Sequence, residues 1–402
     1  MKTREVKLGE VANVKGGKRI PKGIGLINIP NGHPYIRVRD LNNKRVLELD
    51  NSYEYVDNET QKVISKYTVK TGDVVLSIVG TIGLVAIVGR TLDGANLTEN
   101  CVKLSSFHGV NRDFLYYYLR SDCGQQEIRC GTVGAVQAKL PIKNIQNIAI
   151  NLPDYTTQER IASLLLSIDR KIELNQKIND NLEQQAVALF KSWFVDFSLF
   201  GGTVPENWED TTLENITTLI TRGIAPKYSD NSDQTVVNQK CIRNHTIDLS
   251  LARTHTPKAI NEKWLKFGDL LINSTGDGTL GRVAQVWFAP KALTVDSHVT
   301  IVRPAREELI FYIGLWGILH EKEIESLHTG STGQTELPRD RVKMLKLLLP
   351  DNISLSRFNS IITPMASTII SNQEENQKLA SLRDTLLPKL MSGEIDVSNI
   401  QF

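Results

Sequence analysis

The sequence predicts an α+β fold in which two β-rich domains, repeated in tandem, are separated by two long helices that form an antiparallel coiled coil. Three observations predict it. The chain repeats itself after about 197 residues, each repeat opens with short strand-like segments between Gly, Asn and Pro, and each closes with a long segment of heptad spacing. The predicted limits are 1–153 and 201–350 for the β-rich domains, and 154–200 and 351–402 for the helical segments.

The repeat is recognised by short motifs that recur in the same order in both halves. Leu-Pro at 140–141 recurs at 337–338, and Leu-Pro-Asp at 152–154 recurs at 349–351. A period of this length corresponds to a whole domain with its helical segment, not to a solenoid repeat. A chain with this internal two-fold character suits a two-fold partner, and duplex DNA is the commonest partner of that kind.

Each β-rich domain is expected to contain buried strands around a glycine turn, followed by a helix. The apolar run 74–88 is rich in β-branched residues and is broken by Gly-Thr-Ile-Gly, which indicates two buried strands around a turn. The glycine-rich segment 276–281 is likewise predicted to be a turn. Helices are predicted at Arg112 to Ser121 and within Arg306 to Ser326, where apolar residues share a face.

The first long segment has the heptad spacing of a coiled coil, because its apolar and special positions alternate in steps of four and three. They are Ile161, Leu165, Ile168, Ile172, Asn175, Asn179, Leu182, Ala186, Leu189 and Trp193. The same seam recurs at Phe358, Ile362, Met365, Ile369, Asn372, Asn376, Leu379, Arg383, Leu386 and Leu390, with Arg383 as its one defect. We expect Thr156 or Thr157 to cap the first helix, Pro364 to kink or delay the second, and the second to end before Gly393.

Two asparagines stand in the middle of each seam. In an antiparallel pair, Asn175 meets the turn of Asn376, and Asn179 meets the turn of Asn372. A buried amide without a partner costs about 1–3 kcal/mol, and sliding the helices would place these amides against leucines. The four asparagines are therefore predicted to select the register and orientation of the helices.

Composition and charge are those of an ordinary globular protein. Of the 402 residues, 41% are hydrophobic and 23% are charged, and the formal net charge is +2. No overall field indicates nucleic acid, so a DNA partner would depend on local basic patches. The first residues lack the apolar core of a signal peptide, and no apolar stretch is long enough to span a bilayer. The four cysteines show no metal-ligand spacing. We therefore expect a cytoplasmic protein with reduced thiols and no membrane partner.

The sequence contains no motif of a known catalytic or metal site. Phosphate-loop, dinucleotide-binding, nucleophile-elbow, zinc-protease and kinase signatures do not occur, and the histidines lack ligand spacing. No catalytic residue and no metal site are predicted.

Polar residues suited to DNA recur in both halves. Arg and Lys can bind guanine, Asn and Gln suit adenine, and Ser and Thr suit phosphates. The candidate DNA-binding residues of the first half are Lys18, Arg19, Lys22, Arg37, Arg39, Asn42, Ser77, Thr81, Gln137 and Lys139. Those of the second half are Arg222, Lys227, Arg243, Asn244, Ser274, Thr275 and Gln334. Taken singly, each is more typical of a solvated loop than of a DNA contact, and the argument for DNA rests on their recurrence in both halves.

Over essentially its whole length the chain resembles the specificity subunit of type I restriction–modification enzymes. The residues that carry the resemblance are Leu8-Gly9-Glu10-Val11, Tyr35 to Leu41, Gly72 to Val75, Gln158 to Ala162, Asp169 to Glu173, Asn175 to Asn179 and the closing Leu386 to Ile395. The ordered set, the half-length repeat and the paired helical segments are more specific than any single motif.

The resemblance implies that each β-rich domain is a target-recognition domain that reads one half of a bipartite, asymmetric site in double-stranded DNA. It also implies that the helices set the gap between half-sites and dock two methylation subunits, followed by two restriction subunits. S-adenosylmethionine and ATP would be used by those partner subunits, and this chain would bind no cofactor and catalyse neither reaction. The two repeats differ at equivalent positions, where the first has Ala135, Val136 and Lys139 and the second has Thr332, Gly333 and Glu336. The two domains should therefore read different half-sites.

Two other functions agree with the sequence. A stand-alone DNA-binding regulator would share the recognition domains but would bind DNA without methylation subunits. A coiled-coil scaffold protein would use the helices to hold partners and would not bind DNA, which the near-neutral net charge allows.

Overall fold

The computed structural model describes residues 3–41, 44–134, 136–276, 278–330 and 335–397. The chain forms two compact units, Met1–Glu173 with Asn376–Phe402, and Leu174–Glu375. Each unit contains one β-rich part and one segment of each long helix. The fold confirms the predicted α+β class with two β-rich parts and two long helices. The limits 1–153, 154–200, 201–350 and 351–402 divide the chain differently from these units and stay a prediction.

The β-rich part of the first unit contains short strands and helices. The strands are β1 (Thr3–Lys7), β2 (Asn13–Gly16), β3 (Pro34–Ile36), β4 (Val46–Leu47), β5 (Glu54–Tyr55), β6 (Val74–Ser77), β7 (Val85–Val88), β8 (Asn96–Leu97), β9 (Cys101–Ser105) and β10 (Ala149–Pro153). The helices are α1 (Leu8–Val11), α2 (Asn58–Ile64), α3 (Arg112–Arg120), α4 (Asp122–Gly131) and α5 (Ile142–Gln146). Helix α3 confirms the predicted helix, and α4 was not predicted.

A five-stranded sheet of order β2-β9-β6-β7-β4 forms the centre of this part, beside a three-stranded sheet of order β5-β3-β8. Both faces of the central sheet are covered. Val74 and Leu76 of β6 pack in one core with α3, whereas Val75 packs in a second core. Because successive side chains of a strand point to opposite faces, this explains the continuous apolar run of the sequence. Strand β1 pairs antiparallel with β10, so the start of this part lies beside its end.

The β-rich part of the second unit repeats this arrangement. Its strands are β11 (Glu209–Thr212), β12 (Thr217–Arg222), β13 (Thr235–Val237), β14 (Ile242–Arg243), β15 (Thr246–Ile247), β16 (Arg253–Thr254), β17 (Leu270–Asn273), β18 (Val283–Gln285), β19 (Leu293–Val295), β20 (Val299–Pro304) and β21 (Lys346–Leu349). Its helices are α7 (Ile310–Leu319), α8 (Glu321–Ser326) and α9 (Arg339–Lys343), of which α7 and α8 confirm the predicted helical region.

The central sheet of the second unit has the order β12-β20-β17-β18, which matches β2-β9-β6-β7 of the first unit. Strand β11 pairs with β21 as β1 pairs with β10. Leu270 and Ile272 of β17 pack in one core with α7, and Leu271 packs in the other. The turn at 80–83 joins β6 to β7, as predicted. The predicted turn 276–281 lies between β17 and β18 and includes Asp277, which is outside the described residues.

The two long helices are α6 (Tyr155–Phe194) and α10 (Asn352–Ser392). Their segments pair antiparallel within each unit. In the second unit the ring centroids of Phe194 and Phe358 are 4.8 Å apart, and Asn179 lies beside Asn372. In the first unit Arg383 pairs with Asp169. The predicted seam faces inward, since its members are buried or half-buried. Helix α10 ends at Ser392, before Gly393, as predicted.

Two expectations about the long helices are corrected, the cap of the first helix and the delay of the second at Pro364. The side chain of Asp154, not Thr156 or Thr157, accepts the amide of Thr157 over 3.0 Å at the start of α6, because a carboxylate ahead of the first turn reaches that amide. Asp351 does the same for α10. Pro364 does not delay α10, which begins twelve residues earlier at Asn352 and continues through it because burial of the seam outweighs one lost hydrogen bond.

The predicted defect at Arg383 is a buried ion pair. Its guanidinium lies 2.9 Å from the carboxylate of Asp169, whose second oxygen accepts a 2.6 Å hydrogen bond from the hydroxyl of Tyr117 in α3. The three side chains thus join α10, α6 and the β-rich part of the first unit. A charged residue in an apolar seam is tolerated here because its counter-charge is buried with it.

Candidate nucleic-acid interface

In each unit the turn after the central strand is joined to a short segment from much later in the chain. In the first unit, Val79 forms an antiparallel bridge with Lys139, which also bridges to Val133, so that 133–139 turns back on itself. The amide of Leu140 then donates to the carbonyl of Ile78 over 3.0 Å. This places the segment that contains Gln137 and Lys139 at the end of the central sheet.

The second unit has the same connection. Thr275 bridges to Glu336, Glu336 bridges to Thr329, and the amide of Leu337 donates to the carbonyl of Ser274 over 2.8 Å. Lys139 of the first unit and Glu336 of the second therefore occupy equivalent positions, as the sequence repeat predicts. The charge at this position is reversed between the two units.

Ser77 and Ser274 were predicted on the DNA-binding surface, and the structure corrects this. Both are fully buried. The hydroxyl of Ser77 donates to the carbonyl of Thr81 over 2.6 Å and accepts from the amide of Leu84, and the hydroxyl of Ser274 pairs with that of Thr300. These serines stabilise the ends of β6 and β17, because an unpaired polar group would be costly at a buried strand end.

The chain approaches the sheet closely where β2 ends. A Cβ atom on Gly17 would lie 2.1 Å from the carbonyl oxygen of Thr98, so only glycine fits without a shift of the backbone. The amide of Lys18 then donates to the carbonyl of Leu97 over 2.8 Å, and its own carbonyl accepts from the hydroxyl of Tyr35. Lys18 and Arg19 are thereby presented at the surface, and Arg19 lies 2.5 Å from Glu99.

Arg37 and Arg39 share the carboxylate of Glu54. Arg37 forms an ion pair with it, and a guanidinium nitrogen of Arg39 lies 2.7 Å from it. Asp40 is nearby, and its carboxylate accepts the amide of Arg37 over 2.7 Å. Burial raises the pKa of Asp40 to about 6, against the lowering effect of Arg39. Glu54 is therefore a carboxylate partner that Arg37 and Arg39 share.

The corresponding surface of the second unit is a polar network around Thr275. Its hydroxyl pairs with Nδ1 of His298 over 2.7 Å and donates to the side chain of Gln239 over 3.2 Å. Arg222 lies beside it, with one guanidinium nitrogen 2.7 Å from Glu336 and another donating to the carbonyl of Leu337. Thr275 and Arg222 were both candidates from the sequence, and the fold connects them through Glu336, which bridges to Thr275 and pairs with Arg222. His298 and Gln239 were not among the candidates.

The remaining candidates with described structure are exposed. They are Lys22, Thr81, Gln137, Lys139, Lys227, Arg243 and Asn244. Asn244 has a left-handed φ of 49° in the β14–β15 hairpin, which directs the strand ends into a tight turn. Over the described ranges, none of these lysines nor Arg243 forms an ion pair, so their charges are available to a partner. Asn42 and Gln334 lie outside the described residues.

The helix asparagines were predicted to pair across the seam, and the pair in the second unit is confirmed. The amide of Asn372 donates to the side-chain oxygen of Asn179 over 2.8 Å. The amide of Asn175 donates to Glu375 over 2.8 Å, so its observed partner is a carboxylate of α10. Asn376 is half-buried in the seam segment of the first unit.

A second group of basic residues was missed by sequence reasoning. Lys66 and Lys103 line a cavity with Lys15, Gly16, Tyr67 and Leu97 at the edge of the central sheet of the first unit. These residues lie far apart in sequence. The pairing of β2 with β9 brings Lys15 to Lys103, and a hydrogen bond from the amide of Leu97 to the carbonyl of Tyr67 adds the segment of Lys66. No motif or spacing could have indicated them.

Metal-ligand clusters and membrane-spanning helices are both absent from the described part of the chain. No group of three or more His, Cys, Asp and Glu side chains there is arranged to hold a metal ion. None of the helices found there has the length and apolarity needed to cross a membrane.

Comparisons with known proteins show what the chain is similar to. Residues 2–184 match the family model described as the type I restriction modification DNA specificity domain. The MjaIX specificity subunit of Methanocaldococcus jannaschii, a type I restriction enzyme subunit, is 25% identical over 393 residues, covering 91% of this chain and 88% of the relative. The HindI specificity subunit of Haemophilus influenzae is 22% identical over 346 residues, covering 67% and 73%.

A solved structure has the same fold. The S subunit of the type I restriction–modification system of M. genitalium superposes with a TM-score of 0.55 at 16% identity, over 97% of this chain and 99% of that chain. The likeness to this structure shows the fold, and the matches in sequence show that the chain is similar to specificity subunits of type I restriction enzymes.

Proposed function

We propose that each β-rich part reads one half of a bipartite site in double-stranded DNA. The observation that carries the proposal is the equivalence of Lys139 and Glu336. Both occupy the bridge position beside the turn at the end of the central sheet, with opposite charges. A lysine there suits the acceptors of guanine, whereas a glutamate suits the amino group of cytosine. Two domains with the same fold but different contact residues would recognise an asymmetric site.

The long helices are proposed to set the spacing between the half-sites and to dock two methylation subunits, followed by two restriction subunits. The continuity of α6 and α10, and the amide pair of Asn179 and Asn372, support a fixed helix register. In this assembly the chain is not an enzyme, binds no cofactor, and leaves S-adenosylmethionine and ATP to its partners. We propose that the complex acts in the cytoplasm.

The experiment is methylome sequencing of cells that express this chain with the methylation subunit of its system. The expected result is one bipartite methylated motif with two different halves. Glu336→Lys should then change the second half only, and Lys139→Glu the first half only. A change in both halves from either variant would contradict independent readers. DNA binding without any methylation subunit would favour a stand-alone regulator.

A further inference from the structure

The first unit contains a pair of lysines that the fold itself does not require. Lys15 of β2 lies directly opposite Lys103 of β9 in the antiparallel register. Like charges in directly opposed cross-strand positions destabilise a sheet. In the second unit the same strand pair is made by Thr221 and Ile301, so the sheet can be built without either charge.

Only one of the two charges is balanced within the protein. The ammonium of Lys103 is mostly buried, donates to the carbonyl of Thr68 over 2.7 Å and lies 3.4 Å from the carboxylate of Asp73. Lys15 is exposed, and in the part of the chain that the structure describes no carboxylate pairs with it or with the neighbouring Lys66. The positive charge of Lys15 and Lys66 is therefore in excess.

These lysines line a cavity of about 230 Å³, together with Gly16, Tyr67 and Leu97. The ring of Tyr67 forms part of the wall, and the ammonium of Lys18 lies 5.7 Å from the centre of that ring. Three lysines thus line the cavity together with Tyr67, and the ammonium of a fourth, Lys18, lies over the ring of that tyrosine. Gly16 contributes only backbone atoms to the lining of the cavity.

We propose that this cavity is an anion site that takes a phosphate group, and that in the working protein the phosphate belongs to the DNA backbone. The second part of this inference rests on the proposed function. The residues assigned are Lys15, Lys66 and Tyr67, with Lys103 as the buried support. A phosphate between Lys15 and Lys66 would offset the repulsion between Lys15 and Lys103. The two opposed lysines would then serve to bind a phosphate group.

The test compares Lys15→Thr, Lys66→Gln and the double variant with Lys62→Gln in the full-length chain, purified with any partners that it retains. Threonine is the residue that the second unit carries at the position of Lys15, so the sheet should still form. Lys62 is a matched control, because it is exposed in the same unit but already pairs with Glu59 over 2.7 Å.

The first measurement is duplex binding as a function of salt. Loss of one phosphate contact should lower the slope of log affinity against log salt by about 1, equally for target and non-target duplexes. Lys62→Gln should leave the slope unchanged. If the wild type binds DNA and the slope of the double variant is unaltered, the DNA-backbone part of the inference is overturned while the proposed function stands.

The second measurement is the thermal midpoint of unfolding with inorganic phosphate. It tests whether the cavity binds phosphate at all, independently of DNA. Inorganic phosphate should raise the thermal midpoint of the wild type more than chloride at equal ionic strength, and should not do so for the double variant. Without phosphate, Lys15→Thr should itself raise the midpoint by relieving the like-charge pair. A phosphate response with an unaltered salt slope would assign the cavity to a free anion. Absence of any phosphate response, with an unaltered slope, would overturn the site.

Discussion

The side-chain amide of Asn372 donates to the side-chain oxygen of Asn179 across the two long helices over 2.8 Å, and Asn179 also donates to the carbonyl of Ile369. Asn179 is buried. A shift of one helix along the other would place both amides against apolar side chains. The pair therefore selects one register, in the manner of a buried polar residue in a coiled coil.

Replacing one or both asparagines should change the stability of the second unit and the register of the two helices independently. Asn179→Leu alone should destabilise the second unit by about 1–3 kcal/mol, because Asn372 loses its partner. Asn179→Leu with Asn372→Leu should restore or exceed the original stability in urea unfolding. The double variant should nevertheless form disulfides between cysteines placed at non-native positions along the seam. A single cross-linking pattern in that variant would rule out the register role.

The ion pair between Asp169 and Arg383 should be costly to break from one side. Arg383→Leu leaves the buried carboxylate of Asp169 with only the hydroxyl of Tyr117, and we expect a loss of about 3–5 kcal/mol in urea unfolding of the first unit. Adding Asp169→Asn should recover most of that loss. Asp384→Asn is the matched control, since Asp384 is exposed and also contacts Arg383. A loss of equal size in this control would assign the effect to surface charge.

The cap of α10 should make stability depend on acid pH. Burial acts to raise the pKa of Asp351, but hydrogen bonds from Ser354, Trp208 and Ile353 outweigh it and hold the pKa at about 2. A carboxylate with a lowered pKa stabilises the folded state above its unfolded pKa and loses this effect as the pH falls through its folded pKa. The free energy of unfolding should therefore fall between about pH 4 and pH 2.

Asp351→Asn should flatten that part of the pH profile, because an amide does not titrate. Asp351→Ala should also lose about 1–2 kcal/mol at neutral pH, as expected for a lost helix cap. The check is chemical denaturation across the acid range, with Asp210→Asn as an exposed control. An unchanged profile in Asp351→Asn would assign the acid dependence to other groups.

Glu183 of α6 should make the second unit less stable as the pH rises. Burial, and then the neighbouring Asp180, raise its pKa to about 7, while His245 of the β14–β15 hairpin lowers it. The hydrogen bond with Glu321 raises the pKa of His245 against the lowering effect of burial. Groups with a raised pKa stabilise the folded state below their unfolded pKa and lose that effect as the pH passes their folded pKa. For Glu183 the loss therefore runs from about pH 4.5 to pH 7.

The measurement for this group is the thermal midpoint of unfolding between pH 5 and pH 8. The midpoint should fall with rising pH in the wild type and change less in Glu183→Gln. Glu323→Gln, on the exposed side of α8, should behave as the wild type. If Glu183→Gln retains the full pH dependence, the titration belongs to another group, for which His245 is the first candidate.

Gly17 and Gly223 should be equivalent close-approach positions. A Cβ on Gly223 would lie 1.9 Å from the carbonyl oxygen of Val295, as one on Gly17 would crowd Thr98. Alanine at either position should cost about 1–3 kcal/mol and disturb the surface of its own unit only. Methylome sequencing should then show relaxed specificity in one half-site for each variant. Gly25→Ala, where a Cβ meets nothing within 4 Å, should be neutral.

The sequence by itself determined the duplicated α+β plan, the two helices with their inward seam, and the amide pair of Asn179 with Asn372. These follow from periodicity, which is local to each element and repeats along the chain. Equivalence of the Lys139 and Glu336 segments also followed, because duplication copies the order of motifs.

Only the tertiary structure decided which polar residues reach the surface. Ser77 and Ser274 are buried at strand ends, Arg383 finds Asp169, and Lys15 faces Lys103. Each outcome depends on strand register or on a contact between residues far apart in sequence. A one-residue change of strand register would send a strand residue such as Lys15 to the other face of the sheet, and no local pattern specifies that choice.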